Sequence, residues 1–137
     1  MLYTIHHTIP AAVRRELQEL HEDVLPADDV PGFRGHSAAV LRFDAEGPVV
    51  SFVTWRTSTR GAWLDRIGVA AEWRKNGFAR GMLDLALAEG DGLPWRTYIA
   101  AHNIPSQRLF ISRGFVPYKF FTQQSTSFIR FQKGLSK

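Results

Sequence analysis

The stretch from Trp63 to Ala101 constrains this chain more than any other. Trp63 to Val69 is strand-like, and a short turn leads from it into helical periodicity from about Arg74 to Glu89. Phe78, Met82, Leu85 and Ala86 fall on one face of that helix. Gly90 to Pro94 breaks the pattern, and Trp95 to Ala101 reads as a second strand. Strand, helix and strand at this length make a βαβ unit, whose crossover is right-handed and whose two strands run parallel. The rest of the chain must build a sheet around that unit.

The flanking segments supply one. Leu2 to His6 alternates as a short strand, Thr8 is placed to cap a helix, and Pro10 suits its first turn. Ile9, Val13, Leu17, Leu20 and Val24 then form one apolar helix face, ended by Pro26 and Pro31. Strand-like runs follow at Ala38 to Phe43 and Val49 to Trp55, with turn residues at 45–48 and 58–61, so antiparallel hairpins are expected up to Val69. Residues 103–113 predict a short helix closed by Gly114, and Phe115 to Phe121 with Ser127 to Phe131 predict a final pair of strands. The expected fold class is α/β (α+β), with a mixed, mostly antiparallel central sheet and one parallel βαβ step. No repeat or linker interrupts the 137 residues, so a single domain spanning 1–137 is expected.

Composition narrows the function. Apolar residues make up 45%, enough for a real core. The absence of cysteine excludes a disulfide scaffold, a thiolate zinc site and a cysteine nucleophile. No basic-then-apolar leader opens the chain and no apolar run approaches ~20 residues, so a cytoplasmic protein without a membrane partner is expected. The net charge of +4 suits an anionic ligand. Arg14, Arg15 and the cations of 74–80 are too scattered for a nucleic-acid stripe, so no nucleic-acid partner is expected. The histidines show no metal-ligand spacing, and no metal is expected.

The chemistry concentrates between Ile67 and Leu83. Gly77 and Gly81 open the helix there, although glycine costs about 0.5–1 kcal/mol against alanine inside one, which suggests that something approaches the backbone. A helix start offers about four unpartnered N–H groups and partial positive charge, which a diphosphate can take up. Arg74, Lys75 and Arg80 add formal charge. The P-loop and the dinucleotide Gly-x-Gly-x-x-Gly patterns are both absent. What fits is Arg74-x-x-Gly77-x-Ala79, which resembles the (Gln/Arg)-x-x-Gly-x-(Gly/Ala) motif of the GNAT superfamily of acyl-CoA-dependent N-acyltransferases. Downstream, Asn103-x-x-Ser106-x-x-x-Phe110-x-x-x-Gly114-Phe115 is similar to that superfamily's second segment, Asn-x-x-(Ala/Ser)-x-x-x-Tyr-x-x-x-Gly-Phe. The two matches cover about residues 63–118.

The resemblance implies that acetyl-CoA is the co-substrate, held by Ile67, Gly68, Val69, Arg74, Lys75, Asn76, Gly77, Phe78, Ala79, Arg80, Asn103, Ser106 and Phe110. Its pantetheine arm would lie between two splayed parallel strands, against Ile67 to Val69 and Tyr98 to Ala101. An N–H near Val69 would polarise the thioester carbonyl, and a bound amine would attack directly, without a covalent enzyme intermediate. An alkylamine is only about one part in ~10³ neutral at pH 7, so a proton acceptor is needed. His102, at the end of the second strand, and Asp65 are the candidates. Asp65 has a bland alternative as the ion-pair partner of Arg66 or Arg60, and His102 as a helix cap.

At Phe110 the chain departs from the resemblance, since many members carry Tyr there and Phe cannot donate a proton to the leaving thiolate. Tyr118 is the candidate substitute, with Tyr98 and Ser106 as alternatives. Glu22, Asp23, Asp28 and Asp29 suggest a cationic amine acceptor, and Trp63 or Phe33 would line its pocket. His6, His7, His21 and His36 read as structural. The competing readings are a non-catalytic CoA-binding module that lost its acid at Phe110, and a basic nucleic-acid-binding module. The acceptor, the acyl chain and the oligomeric state are not legible.

Overall fold

The computed structural model describes residues 1–24 and 32–134. In chain order the elements are β1 (Leu2–His6), α1 (Ala11–Val24), β2 (Ser37–Arg42), β3 (Val49–Ser58), β4 (Gly61–Val69), a 3-10 turn (Ala71–Trp73), α2 (Phe78–Glu89), β5 (Trp95–Ala100), α3 (Ile104–Ser112), β6 (Val116–Gln123) and β7 (Thr126–Lys133). The strands form one seven-stranded sheet in the order β1-β2-β3-β4-β5-β7-β6. Every neighbouring pair is antiparallel except β4 and β5, the parallel step expected from the βαβ unit. Pro26, Pro31, Asp28 and Asp29 lie outside the described residues.

Alternation along the strands distributes the core between two faces. On one face α1 brings Leu17 against Ala38, Val40, Phe33 and Phe52. On the other, Met82, Leu83 and Ala86 of α2 and Phe110 of α3 pack against Trp55, Leu64, Trp95, Ile99 and Phe131. Arg42 of β2 holds α1 through a bidentate pair with Glu16, at 2.7 and 2.8 Å. Arg113 clamps α3 to Asp84 of α2 in the same way, at 2.6 and 3.0 Å.

The last hairpin turns inward. β7 rather than β6 pairs with β5, because its Ile129 and Phe131 are buried core residues. β6 carries Pro117, which has no amide hydrogen for a ladder on both sides, and exposes Val116 and Phe120 at the edge. Gln124 and Ser125, both at positive φ (49° and 68°), make the two-residue hairpin turn that matches strand twist.

One boundary differs from the sequence expectation. The helix predicted from Arg74 begins at Phe78, after a loop in which Lys75 (φ 66°) and Gly77 (φ 80°) are left-handed. Two left-handed residues within three cannot continue a right-handed helix. Gly77 is therefore the residue that caps α2 from outside it, and only Gly81 lies within its first turns.

β4 and β5 meet in register only at Ala62/Trp95 and Trp63/Arg96. Gly61 fixes this closed end: its φ is 147°, and a Cβ there would sit 2.6 Å from the Pro94 carbonyl oxygen, which accepts the Ala62 N–H at 2.8 Å. Gly61→Ala is expected to cost about 1–3 kcal/mol. Chemical denaturation should report a lower midpoint at an unchanged slope; an unaltered midpoint would show that the clamp is not needed.

Candidate functional site

A one-residue irregularity creates the site. Along β3 and β4, Thr54 pairs with Arg66 but Trp55 pairs with Leu64, so Asp65 is an extra residue on β4. Such a bulge bends its strand and raises the local twist. Beyond it β4 parts from β5, and the last link is side-chain made: the Thr97 hydroxyl donates to the Leu64 carbonyl at 3.1 Å.

Hydrogen-bond alternation identifies the backbone groups that face the open seam. Ala70 N donates to Val50 O at 2.8 Å, so Gly68 two residues earlier also faces β3, and Ile67 and Val69 face β5. On the far side Ala101 N donates to Ser127 O at 2.8 Å, which turns Tyr98 and Ala100 toward β4. Gly68 itself offers nothing to the seam. Its carbonyl accepts the Ser51 hydroxyl at 2.8 Å. A Cβ on it would collide with the buried Phe52 ring, so packing requires glycine there.

At the seam's open end lies the loop Arg74–Gly77 and the start of α2. The Asn76 side chain donates to the carbonyls of Trp73 and Arg74, at 3.0 and 3.1 Å, and fixes the loop. The first turn of α2 leaves the amides of Phe78, Ala79 and Arg80 without intrahelical acceptors. Arg74, Lys75 and Arg80 are exposed around them, while Phe78 and Ala79 are half-buried. A Cβ at Gly77 or Gly81 would meet no protein atom within 4 Å, so tight packing on the sheet does not explain either glycine. The loop and helix start thus present a cradle of backbone donors with cations at its rim, the chemistry that an anion requires.

The second segment buttresses the seam. Asn103 caps α3, its side chain accepting the Ser106 N–H at 3.3 Å. Ser106 is half-buried. Gln107 donates to the Ala101 carbonyl at 2.8 Å and so seals the end of β5, a role that no sequence pattern marked. Phe110 is 4% exposed and meets Phe115 edge-on, with ring centroids 5.0 Å apart, as a core residue.

The candidate proton acceptors, Asp65 and His102, and the candidate acid, Tyr118, are separated. Asp65 sits at the bulge on the face that α1 covers. His102 is exposed, in the turn after β5. Counting on from the Trp63/Arg96 pair brings His102 level with Val69, about 13 Å up the strand from Asp65 at ~3.3 Å per residue. Tyr118 lies on β6, with β7 between it and β5, roughly 10 Å of sheet from the seam. It is not brought to the other two.

What Asp65 does meet is a histidine the sequence left as structural. His36 Nε2 stands 3.0 Å from Asp65 Oδ2, and its Nδ1 is 3.0 Å from the Arg34 carbonyl. Arg66 Nη1 is 3.5 Å from Asp65 Oδ1, the expected neighbour pairing, whereas no ion pair to Arg60 forms among the described residues. Arg66 is held in turn by His21, buried at the end of α1, whose Nε2 accepts from Arg66 Nε at 3.2 Å. Burial pushes the Asp65 carboxyl up, but the His36 hydrogen bond and the charges of Arg66, His36 and Arg56 together outweigh it and hold the group below the usual carboxylate range. Phe33, 2% exposed, supports this cluster from beneath, its ring edge-on to both His21 and His36, and does not line an open pocket. Such a pairing across 29 positions leaves no periodic trace in the sequence.

Glu22 and Asp23 are exposed at the end of α1. Asp23 borders a cavity of about 570 Å³ shared with Phe43, Glu72 and Trp73, beside the loop rather than at the bulge. Among the described residues no group of three or more His, Asp or Glu is arranged to hold a metal, and no helix is long and apolar enough to cross a membrane.

No protein-family model and no curated protein matches the chain. Solved structures do. The ribosomal-protein-S18-alanine N-acetyltransferase from Escherichia coli superposes with a TM-score of 0.79 at 15% identity, covering 96% of this chain and 93% of its own. Arabidopsis thaliana NAA60 in complex with a bisubstrate analogue gives 0.74 at 16%, covering 98% and 100%. The spermidine N-acetyltransferase SpeG F149A mutant from Vibrio cholerae gives 0.76 at 15%, covering 97% and 94%. The fold is the GNAT fold.

The depressed Asp65 carboxyl has a consequence for stability. A carboxyl held low in the fold contributes fully above its unfolded value, and the contribution is lost as pH falls through the acid range to its folded value. Asp65→Asn is therefore expected to lower the melting temperature at pH 7 and to flatten its decline below the usual carboxylate range. Parallel acid limbs for the two proteins in a pH series of melts would rule this out.

Proposed function

We propose that the chain is an acetyl-CoA-dependent N-acetyltransferase acting on a primary amine. The observation that carries the reading is the seam: a parallel strand pair closed at one end, parted by a bulge, and opening onto a cationic cradle of backbone donors. The solved N-acetyltransferases that share the fold support it, one of them an NAA60 structure in complex with acetyl-CoA.

The residues present fit such a ligand. The amides of 75–80 with Arg74, Lys75 and Arg80 would take the diphosphate. The seam-facing groups of Ile67, Val69, Tyr98 and Ala100 would pair with the amides of an extended pantetheine arm, as a strand does. Bound acetyl-CoA supplies an acyl thioester; the amine nitrogen forms a bond to its carbonyl carbon, the carbon–sulfur bond breaks, and sulfur leaves with the electron pair.

The protein's own groups act around that exchange. A seam-facing N–H of Ile67 or Val69 donates to the carbonyl oxygen as charge develops on it. Asp65, held ionised, attracts an ammonium acceptor and orients it. As a weak base it is better suited to that task than to final proton removal, for which the His102 imidazole, reached through water, is the candidate. Phe110, in the core, leaves thiolate departure without an acid at that position. A thiol with a reference pKa near ~8.5 is a fair leaving group, and a positioned acid contributes about 10²–10⁴-fold, so the reaction is slowed rather than silenced.

Two measurements test this. Acetyl-CoA and an amine panel should release free thiol, and Phe110→Tyr should change kcat by less than about tenfold, its hydroxyl being directed into the core. A protein that binds CoA but acetylates nothing until Phe110→Tyr is made would instead be a non-catalytic CoA-binding module. For the cradle, Gly77→Asp places a negative charge beside the diphosphate in a residue that tolerates left-handed φ and caps a helix well. It should abolish the CoA-induced rise in melting temperature, while the neutral Gly77→Asn retains most of it. Equal CoA stabilisation in both variants would remove the assignment.

A further inference from the structure

The face of the sheet that α1 covers over β2 to β4 continues past the seam without a helix above it among the described residues. Trp63, two residues before Asp65, meets Tyr98 of β5 edge-on, with ring centroids 5.1 Å apart. Tyr98, 48% exposed, meets Phe121 of β6 at 5.4 Å. Ile99, Ile129 and Phe131 point into the opposite core, so their strand neighbours Tyr98 and Arg130 belong to this open face.

Arg130 is the unusual group. It lies opposite Tyr98 on β7, and its guanidinium carbon is 5.1 Å from the Tyr98 ring centroid and 5.2 Å from that of Phe121. Arg42, Arg66 and Arg113 all find acceptors on side chains. The Arg130 side chain makes no ion pair or hydrogen bond with any described residue, and its Nε is buried without an acceptor. Two aromatic rings hold the fork in place while its donors stay unused.

The charge of the whole face points the same way. Arg56, Arg66, Arg96 and Arg130 fall on it by strand alternation, and Asp65 is the one carboxylate that the described strands carry. No Asp or Glu follows Asp91 in the chain, so no acidic side chain from β5, α3, β6 or β7 can answer these cations.

We propose that Arg130, on the Trp63–Tyr98–Phe121 row, binds a carboxylate carried by the acceptor, so that the acceptor is an amino acid or similar small amino-carboxylate rather than a polyamine. This rests on the acetyltransferase reading: the ammonium end meets Asp65, the carboxylate end meets the Arg130 fork, and the carbon skeleton lies on the aromatic row. It departs from the cationic acceptor suggested by Glu22, Asp23, Asp28 and Asp29; Glu22 and Asp23 are exposed at the end of α1, and Asp28 and Asp29 lie outside the described residues.

The test compares the standard amino acids with their carboxamides, and with spermidine, in thiol release by the intact protein. The same amino acids are titrated calorimetrically into protein saturated with CoA. At least one amino acid should exceed its carboxamide by tenfold or more in kcat/KM and exceed spermidine. Arg130→Gln should erase that preference by raising KM for the amino acid, with KM for acetyl-CoA unchanged. Arg130→Lys keeps the charge without the fork and should recover only part of it; this variant decides the matter if Arg130→Gln does not fold. Thiol release with no preference for the carboxylate, or a preference untouched by either substitution, overturns the Arg130 site and leaves the transferase reading standing. Calorimetric binding that Arg130→Gln weakens tenfold, without thiol release from any amine, keeps the site and overturns the transferase. Neither binding nor turnover overturns both.

Discussion

The parting of β4 from β5 is the feature on which everything else in this molecule depends. A sheet ordinarily pairs its interior strands along their length, because an unpaired buried N–H or carbonyl is costly. Here pairing holds at two positions and then fails, and the cause is local. Asp65 is one residue too many on β4, so the strand bends away just where its parallel partner begins to run beside it. Gly61 against Pro94 keeps the near end shut. Closed at one end and bulged in the middle, the pair must open like a wedge toward the cradle at the start of α2.

The bulge also sets the electrostatics. By inserting Asp65 next to Arg66 it points two charged side chains toward α1, where His36 and His21 receive them. The loop before β2, the last turn of α1 and the middle of β4 thus share one polar network, although little connects them in sequence. Across the seam the character changes, since after Asp91 the chain carries only cationic charged side chains. An amine with a carboxylate would find opposite charges on either side of the wedge, and a diphosphate would find the cationic rim of the loop.

Motif residues turn out to divide between chemistry and construction. Asn103 spends its side chain capping α3, Gly68 is small to admit the Phe52 ring, and Phe110 fills the core. These positions hold the second strand and its helix where the seam needs them. Gly77 differs, for it has room around it and a left-handed backbone, so packing against a neighbour does not account for it.

The sequence alone determined the order of elements, the antiparallel hairpins and the parallel step, because periodicity and turn chemistry are local and each strand's alternation is written in it. It also marked the cationic helix start, since glycine and arginine act there through their own backbone and charge. The bulge was beyond it: a skipped partner exists only once two strands are in register, and Asp65 looks the same paired or extra. So was the Asp65–His36 contact, which joins residues far apart in the chain, and so was the α2 boundary, where Lys75 adopts a left-handed φ that its identity does not call for. The Arg130 fork shows the same limit in another form. Its charge was visible from the start, but only the assembled sheet decided that aromatic rings rather than a carboxylate would flank it, because flanking is a property of neighbouring strands and not of the residue.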